Sequence, residues 1–305
     1  MRELLSKPLL VVTGKGGVGK STVAAALGLA AAERGLRTII AEVAARDDVH
    51  RAFGADPSGA PVVFVEREVA EGLHHISIDP ESALEEYLRD QLPRGLSDLL
   101  GSSRMFTYFA AATPGLRELL TVGKVWELAQ PDRRTPGAHP YDLVILDAPA
   151  TGHGVAVLTA PGTFVDAARV GPVARQGRRI HEMLADPERT GVVAVVTAEE
   201  LPVNETLALE HTLRDELGQR LAAVVANAVL PARFSKAEVE AIDRAPRSRP
   251  VRAAQAEATR SKAQRAQLGR LRRGLRDVEV RSLPFLFEPE LGPEELAHLG
   301  RELVR

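Results

Sequence analysis

A glycine- and lysine-rich stretch near the start of the sequence has the clearest capacity for chemistry. It fits the pattern of a glycine, four residues and then Gly-Lys-Ser, and it lies between an apolar run and a stretch of helix-forming residues. Glycines let backbone N–H groups turn inward around phosphate oxygens, and the following helix points its positive N-terminus at the same anion. The stretch therefore predicts a site for a nucleoside triphosphate, with ATP as the expected nucleotide. Its members are Gly14, Lys15, Gly16, Gly17, Val18, Gly19, Lys20, Ser21 and Thr22.

Within this stretch, two side chains have expected roles in binding the nucleotide. Lys20 should contact the β- and γ-phosphates, and Ser21 should place its hydroxyl group on Mg²⁺. A second metal ligand is predicted at Asp147, which follows the apolar residues 141–146. A carboxylate at the carboxyl end of a neighbouring strand can hold Mg²⁺ through its water shell. We therefore expect Ser21 and Asp147 to form the magnesium site.

The elements that must position these residues alternate between strand and helix patterns. Short apolar runs rich in branched residues indicate buried strands. They are residues 9–12, 38–43, 75–78, 143–146, 192–196, 221–226 and 278–283. The alternation predicts an α/β fold of the P-loop NTPase type, a doubly wound, mostly parallel sheet with helices on both faces, in one domain over residues 1–305. Residues 97–130 lack a strand pattern and predict a helical insertion that could cover the sheet or bind a partner.

Composition excludes several other kinds of site. The 305 residues include no cysteine, so a disulfide framework, thiolate metal sites and a cysteine nucleophile are ruled out. The formal net charge of −2 means that the protein as a whole is not attracted electrostatically to nucleic acid or anionic lipid. Residues 1–8 lack the apolar core of a secretory signal, which predicts a cytoplasmic location.

Lys15, directly after the first glycine of the pattern, makes the loop resemble those of the signature-lysine (deviant Walker A) ATPases. The resemblance implies a dimer that sandwiches nucleotide, in which Lys15 reaches the phosphates of the partner chain. Such a lysine would act like an arginine finger, because it adds positive charge where the transferring phosphoryl group gathers negative charge. Lys15 and Lys20 are therefore the expected catalytic lysines.

Three further segments resemble the ArsA-like family, which contains the arsenite-pump and guided-entry ATPases. They are Asp147-Ala148-Pro149-Ala150-Thr151-Gly152-His153, residues 196–206 and residues 226–231. Residues 114–119 with Gly123 and Lys124 are similar to actinobacterial paired ArsA-like ATPases. The resemblance implies adenine recognition by Asn227 and a homodimer or a heterodimer with a paralogous ATPase. It also implies that ATP hydrolysis drives a conformational change that acts on a protein client or a peripheral membrane partner.

The sequence departs from this family after the second predicted strand. The family has Asp-Pro-Ala there, and its aspartate positions the attacking water, but this sequence has Glu42-Val43-Ala44-Ala45. Glu42 could substitute with its longer side chain, and it is our candidate catalytic acid. Asp47 or Asp48 could serve instead, or hydrolysis could be slow or require a paralogous partner. The absence of cysteine removes the arsenite-binding thiols, so arsenite transport is not expected.

Two alternative functions remain open at this point. The first is a nucleotide-gated binding module that has lost hydrolysis with the missing aspartate. The second is a ParA-like DNA-associated ATPase, since residues 244–276 contain eleven Arg or Lys residues and a single Glu. Such a stretch is more commonly a solvated helix face, and its lack of interleaved aromatic residues disfavours nucleic acid. His74 and His75 are neighbours in a predicted strand, so they face opposite sides and cannot share one metal.

Overall fold

A single eight-stranded sheet organises the protein. The computed structural model describes residues 1–43, 46–54, 63–91, 115–135, 137–167, 172–288 and 290–305. The strands are β1 (Leu9–Thr13), β2 (Thr38–Val43), β3 (Arg67–Ala70), β4 (Leu73–Ile78), β5 (Leu143–Asp147), β6 (Thr190–Thr197), β7 (Leu221–Val229) and β8 (Glu279–Pro284). Their order is β3-β4-β2-β5-β1-β6-β7-β8, and every neighbouring pair is parallel except β3–β4. The predicted doubly wound, mostly parallel sheet is confirmed.

Helices cover both faces of the sheet. They are α1 (Lys20–Ala32), α2 (Asp48–Ala52), α3 (Pro80–Gln91), α4 (Leu116–Leu128), α5 (Thr151–Ala167), α6 (Pro172–Ala185), α7 (Glu200–Leu217), α8 (Lys236–Arg244), α9 (Arg249–Gly274) and α10 (Pro293–Val304). Alternate residues of β1 point into separate cores: Leu9 and Val11 pack towards α4 to α7, whereas Leu10 and Val12 pack towards α1 and α10. In the described part of the chain, no helix is both long and apolar enough to cross a membrane.

The largest differences from the sequence-based elements lie at the β3 edge. The strand predicted at residues 75–78 begins earlier, at Leu73, and pairs with the unpredicted antiparallel strand β3. β3 is only four residues long and half-buried, so it lacks the apolar run that marks a buried parallel strand. Residues 97–114 of the expected insertion lie outside the described residues. The remainder forms α4, which buries Leu119, Val122 and Val125 in the sheet core.

A buried ion-pair network ties α4 to the β3 edge. Arg133, whose side chain is 1 % exposed, lies 2.8 Å from Glu127 and 2.6 Å from Glu66, and Lys124 lies 3.1 Å from Glu127. Burial acts to raise the pKa of Glu127, but the hydrogen bond and charge of Arg133 and the charge of Lys124 hold it below its ordinary value of 4.5. Glu127 therefore stabilises the fold in its ionised form.

Replacing Glu127 with glutamine should lower the free energy of unfolding by roughly 2 kcal/mol at pH 7, because Arg133 and Lys124 each lose one of their two carboxylate partners. The depressed pKa in the folded state means that this stabilisation is complete above pH 4.5 and is lost as the pH falls through the folded-state pKa. Urea unfolding between pH 3 and 7 should show the gap between wild type and variant closing below pH 4.5. Exposed Glu85→Gln serves as the control and should change stability little. A gap independent of pH would contradict this assignment.

Candidate phosphate-binding site

The loop between β1 and α1 requires glycine at two positions. Gly14 has φ +146°, and a Cβ atom there would lie 2.2 Å from the backbone oxygen of Val195 on neighbouring β6. Gly19, the residue before α1, has φ +89°, and a Cβ atom there would lie 2.2 Å from Nδ2 of Asn227. The loop therefore packs its backbone directly on β6 and β7, and the backbone N–H groups at the start of α1 are left for an anion. Gly16, Gly17, Val18 and Thr22 complete the loop and the first turn, as expected.

Lys20 holds its ammonium group inside the curve of the loop. Its side chain is largely buried, and Nζ donates a hydrogen bond to the backbone oxygen of Lys15 at 3.2 Å. Burial lowers the pKa of Lys20, while the charge of Asp147 acts to raise it and that of Arg46 acts to lower it. The Lys20 ammonium group has one backbone oxygen as its acceptor, so an anion bound in the loop would stabilise its charge further through a charge-assisted hydrogen bond.

Lys15 lies on the other side of the loop, paired with a residue of its own chain. Its Nζ is 2.8 Å from Oε1 of Glu205 on α7, and the two side chains are 33 % and 31 % exposed. The ion pair connects the loop to residues 196–206, one of the segments that resemble the ArsA-like family. Lys15 is therefore held near the surface by α7, whereas Lys20 points into the loop.

Ser21 and Asp147 meet at the carboxyl end of the central strands. Ser21 Oγ donates a hydrogen bond of 2.6 Å to Asp147 Oδ2, because β1 and β5 are adjacent and in register. Burial raises the pKa of Asp147 to about 6, against the opposing effects of the Arg46 charge and the Ser21 hydrogen bond. Its Oδ1 is buried and has no hydrogen-bond partner. A hydroxyl group beside an unsatisfied carboxylate oxygen fits the hard oxygen ligands that Mg²⁺ prefers.

Arg46 is a residue of this site that our sequence analysis missed. Its Nη2 lies 3.2 Å from the backbone oxygen and 3.3 Å from Oδ2 of Asp147, and its Nε donates to the backbone oxygen of Val43 at 3.1 Å. The signal was present, because a residue just past β2 lies at the same sheet edge as one that ends β5.

Glu42, the candidate catalytic acid, is fully buried and already hydrogen-bonded. Its Oε2 accepts from the backbone N–H of Val49 at 3.1 Å and lies 2.8 Å from Nε2 of His75. Asp47 lies 2.7 Å from the guanidinium group of Arg67. Ligand atoms of Glu42, Asp47 and His75 come within 4.8 Å of one another, so the three could hold a metal. Their existing hydrogen bond and ion pair favour a network that fixes the start of α2.

The other acids and histidines considered from the sequence have distinct positions. Asp48, at the start of α2, lies 3.7 Å from the guanidinium group of Arg46. His74 contacts the ring of Tyr141 at a centroid distance of 5.3 Å, while His75 faces Glu42. The two histidines thus use different faces of β4, as predicted. The side chain of His153 lies outside the described set.

Asn227 connects β7 to the loop. Its Nδ2 donates a hydrogen bond of 3.0 Å to the backbone oxygen of Val18. The amide group therefore lies against the loop that should hold the phosphates, and its carbonyl oxygen remains available to a ligand. Contact of Asn227 with the adenine base remains a prediction from the family resemblance.

Gly19→Ala should destabilise the protein by about 2–3 kcal/mol, because the side chain strains a left-handed backbone and its Cβ displaces the Asn227 amide from its hydrogen bond to Val18. Gly35→Ala provides the matched control. Gly35 has a similar φ of +80°, but a Cβ atom there would meet nothing within 4 Å, so its cost should stay near 1 kcal/mol. Chemical denaturation of both variants separates steric contact from backbone strain. Equal losses would show that the loop does not pack tightly on Asn227.

The basic residues 244–276 run from the last residue of α8 through α9 to the turn that follows it. Most of α9 is exposed or half-buried, and its buried residues are Ser261, Leu268 and Leu271. Its one acidic residue, Glu257, lies 2.9 Å from Arg233. Most of this stretch is thus a solvated helix face, as is common for such basic segments.

Comparison with known proteins agrees with this geometry. The family model described as anion-transporting ATPase matches residues 7–170 and 165–305. The ATPase BagA of Mycobacterium tuberculosis is 33 % identical over 235 residues, covering 73 % of this chain and 66 % of BagA. An arsenical pump-driving ATPase of Escherichia coli is 28 % identical over 254 residues, covering 74 % of this chain and 40 % of that protein. The chain thus spans less than two thirds of the length of these relatives.

The predicted resemblance is therefore confirmed at the level of the family. A Halobacterium salinarum protein named putative arsenical pump-driving ATPase also matches, at 30 % identity over 240 residues, 73 % of this chain and 35 % of that protein. The loop at residues 14–22 and the Ser21–Asp147 pair both lie within the residues that the family model matches. This chain belongs to the anion-transporting ATPase family.

Proposed function

We propose that the chain binds ATP with Mg²⁺ and hydrolyses it, and that nucleotide brings two chains together as a molecular switch. The observation that carries this proposal is the convergence of Lys20, Ser21 and Asp147 at the mouth of a loop whose glycines pack against β6 and β7. A buried ammonium group, a helix N-terminus and a metal-type oxygen pair together suit a polyphosphate. Local geometry thus supports what the family relationship suggests.

Each residue of the site has a role in this proposal. Lys20 binds the β- and γ-phosphates, Ser21 and Asp147 hold the metal, and Asn227 contacts adenine. Bound Mg²⁺ would supply positive charge to the phosphate oxygens. We assign Glu42 a positioning role, because its carboxylate is fully buried and holds the N-terminus of α2 through Val49.

Lys15 is the residue through which nucleotide state would reach a second chain. Its ammonium group is paired with Glu205 and is a third exposed, so it can exchange that partner for a phosphate of another chain. We propose a homodimer or a heterodimer with a paralogous ATPase. The separation of the two chains after hydrolysis would act on a protein client or a peripheral membrane partner.

Calorimetry and sedimentation test this proposal together. Titration of the wild-type chain with ATP and Mg²⁺ should give one binding event per chain, and binding should weaken when EDTA removes the metal. Sedimentation at increasing ATP should show conversion of monomer to dimer, and steady-state assays should detect phosphate release. Absence of binding heat with ATP and Mg²⁺ would reject the proposed function as a whole.

A second candidate is a nucleotide-gated binding module with weak or lost hydrolysis. It is favoured by the hydrogen bonds of Glu42, whose Oε2 is already occupied by Val49 and His75. The two candidates differ in the fate of bound ATP. In a single-turnover assay, the switch should convert ATP to ADP within minutes, whereas the module should retain intact ATP in the complex.

A further inference from the structure

Arg46 occupies the place beside Asp147 where a cation is needed. Its guanidinium group contacts both the backbone oxygen and Oδ2 of Asp147, and that same Oδ2 accepts the hydroxyl hydrogen of Ser21. Among the described residues, Arg46 is therefore the cation paired with the carboxylate that we assign to the metal. A divalent cation on Asp147 would meet this guanidinium group at short range, and two cations repel each other there.

Among the described residues, packed elements lie before and after Arg46 in the chain. Upstream, Val43 ends β2 and its backbone oxygen accepts a hydrogen bond from Arg46 Nε at 3.1 Å. Downstream, Asp47 is paired with Arg67, and the carboxylate of Glu42 holds the N–H of Val49. The Arg46 side chain itself is 32 % exposed, so it has solvent beside it. A change of partner therefore requires movement of a side chain and not of the sheet.

Arg46 also lies within electrostatic range of the phosphate-binding lysine. Its charge lowers the pKa of Lys20, after the larger effect of burial and against the opposite effect of Asp147. The ammonium group of Lys20 marks where phosphate oxygens are expected, so Arg46 borders the same space. A guanidinium group presents a planar fork of donors that matches phosphate oxygens, and it stays charged at any physiological pH.

We propose that Arg46 is a phosphate-binding residue supplied in cis, which neutralises Asp147 in the empty protein and contacts the terminal phosphate once Mg²⁺ takes that carboxylate. The inference rests on the proposed function and adds to it. Arg46 would make the site distinguish a triphosphate from a diphosphate within one chain, before any partner contributes Lys15. Mg²⁺ and the terminal phosphate then enter together, because each takes one member of the Arg46–Asp147 pair.

Nucleotide affinities test this assignment without relying on turnover. Dissociation constants for ADP and for a non-hydrolysable ATP analogue, both with Mg²⁺, are measured at protein concentrations below dimer formation. Arg46→Ala should weaken analogue binding about tenfold more than ADP binding, the size expected for one lost charge-assisted contact. Arg46→Lys should recover part of the loss. Exposed Arg51 on α2 supplies the matched control, and Arg51→Ala should leave both constants unchanged.

A second measurement follows the metal with ADP alone. The Mg²⁺ concentration that gives half-maximal tightening of ADP binding should fall severalfold in Arg46→Ala, because a competing cation has left Asp147. Thermal melting of each variant verifies that it is folded, and Arg46→Lys serves if Arg46→Ala is not. Equal weakening of both nucleotides, or an unchanged preference between them, would overturn the inference while the proposed function stands. Failure of the wild type to bind either nucleotide would reject both.

Discussion

Lys15→Ala should reduce ATP turnover about 10³-fold while ATP affinity stays within about threefold of wild type. The ammonium group of Lys15 lies on Glu205 and not inside its own loop, so binding to Lys20 and the loop backbone should survive its removal. Turnover should collapse, because the charge that Lys15 adds at the transferring phosphate is lost from the dimer. Phosphate release and calorimetry on the same preparations measure the two quantities.

Mixing two inactive variants tests whether Lys15 acts across the dimer. A chain with Lys20→Ala cannot bind nucleotide well, but it still offers Lys15 to its partner. Combined with Lys15→Ala chains, it should restore about one quarter of wild-type turnover, since half of randomly paired dimers are mixed and each has one complete site. Activity that stays at the level of the separate variants would show that Lys15 acts on its own nucleotide.

Glu205→Gln provides the matched change on the other side of the ion pair. It frees Lys15 without removing it, so the nucleotide-dependent dimer should form at a lower ATP concentration than in wild type. The exposed pair itself contributes at most about 1 kcal/mol, so the variant should remain folded. Glu200→Gln, an exposed change at the start of the same helix, should leave dimer formation unaltered.

Asp147→Asn should lower turnover at least 100-fold and raise the stability of the empty protein. The carboxylate is fully buried, and burial raises its pKa to about 6, so at pH 7 the ionised form costs folding free energy. A neutral amide of the same shape should therefore stabilise the nucleotide-free chain by about 1–3 kcal/mol. The same change removes a charged ligand for Mg²⁺. Asp147→Asn should therefore lower ATP turnover and raise the free energy of unfolding at the same time.

Urea unfolding and phosphate-release assays check the two halves of this prediction. Asp142→Asn, at the opposite end of β5, is the control: it removes a carboxylate that accepts the backbone N–H of Arg37 far from the loop. That variant should be slightly less stable and fully active. An Asp147→Asn protein that loses stability yet retains turnover would remove Asp147 from the metal site and leave it as a packing residue.

Local spacing predicted the parts of the site that lie close together in the chain. The loop at residues 14–22 combines glycines with a helix start, so its backbone geometry follows from neighbouring residues. The pairing of Ser21 with Asp147 was also predictable, because carboxyl ends of parallel strands share one sheet edge. The same rule places Arg46 at that sheet edge, because it lies just past the end of β2, the neighbour of β5.

Other features depend on which strands are neighbours. Glu42 bonds to His75 only because β4 lies beside β2, and the sequence does not reveal strand order at that edge. The antiparallel strand β3 was not predicted because it has only four residues and is only partly buried, so it shows no strand pattern.

Local sequence determined which residues of this protein are predicted to bind phosphate, and the tertiary structure determined which distant side chains contact them. The residues predicted to bind phosphate are close in sequence, so hydrogen-bonding groups and backbone conformation within a few residues were enough to predict their chemistry. The partner of Lys15, in contrast, is Glu205, which lies 190 residues away in the chain. The partner of a long charged side chain is set by which opposite charge lies nearest in the folded state and by how deeply the pair is buried. Spacing along the chain does not determine either quantity.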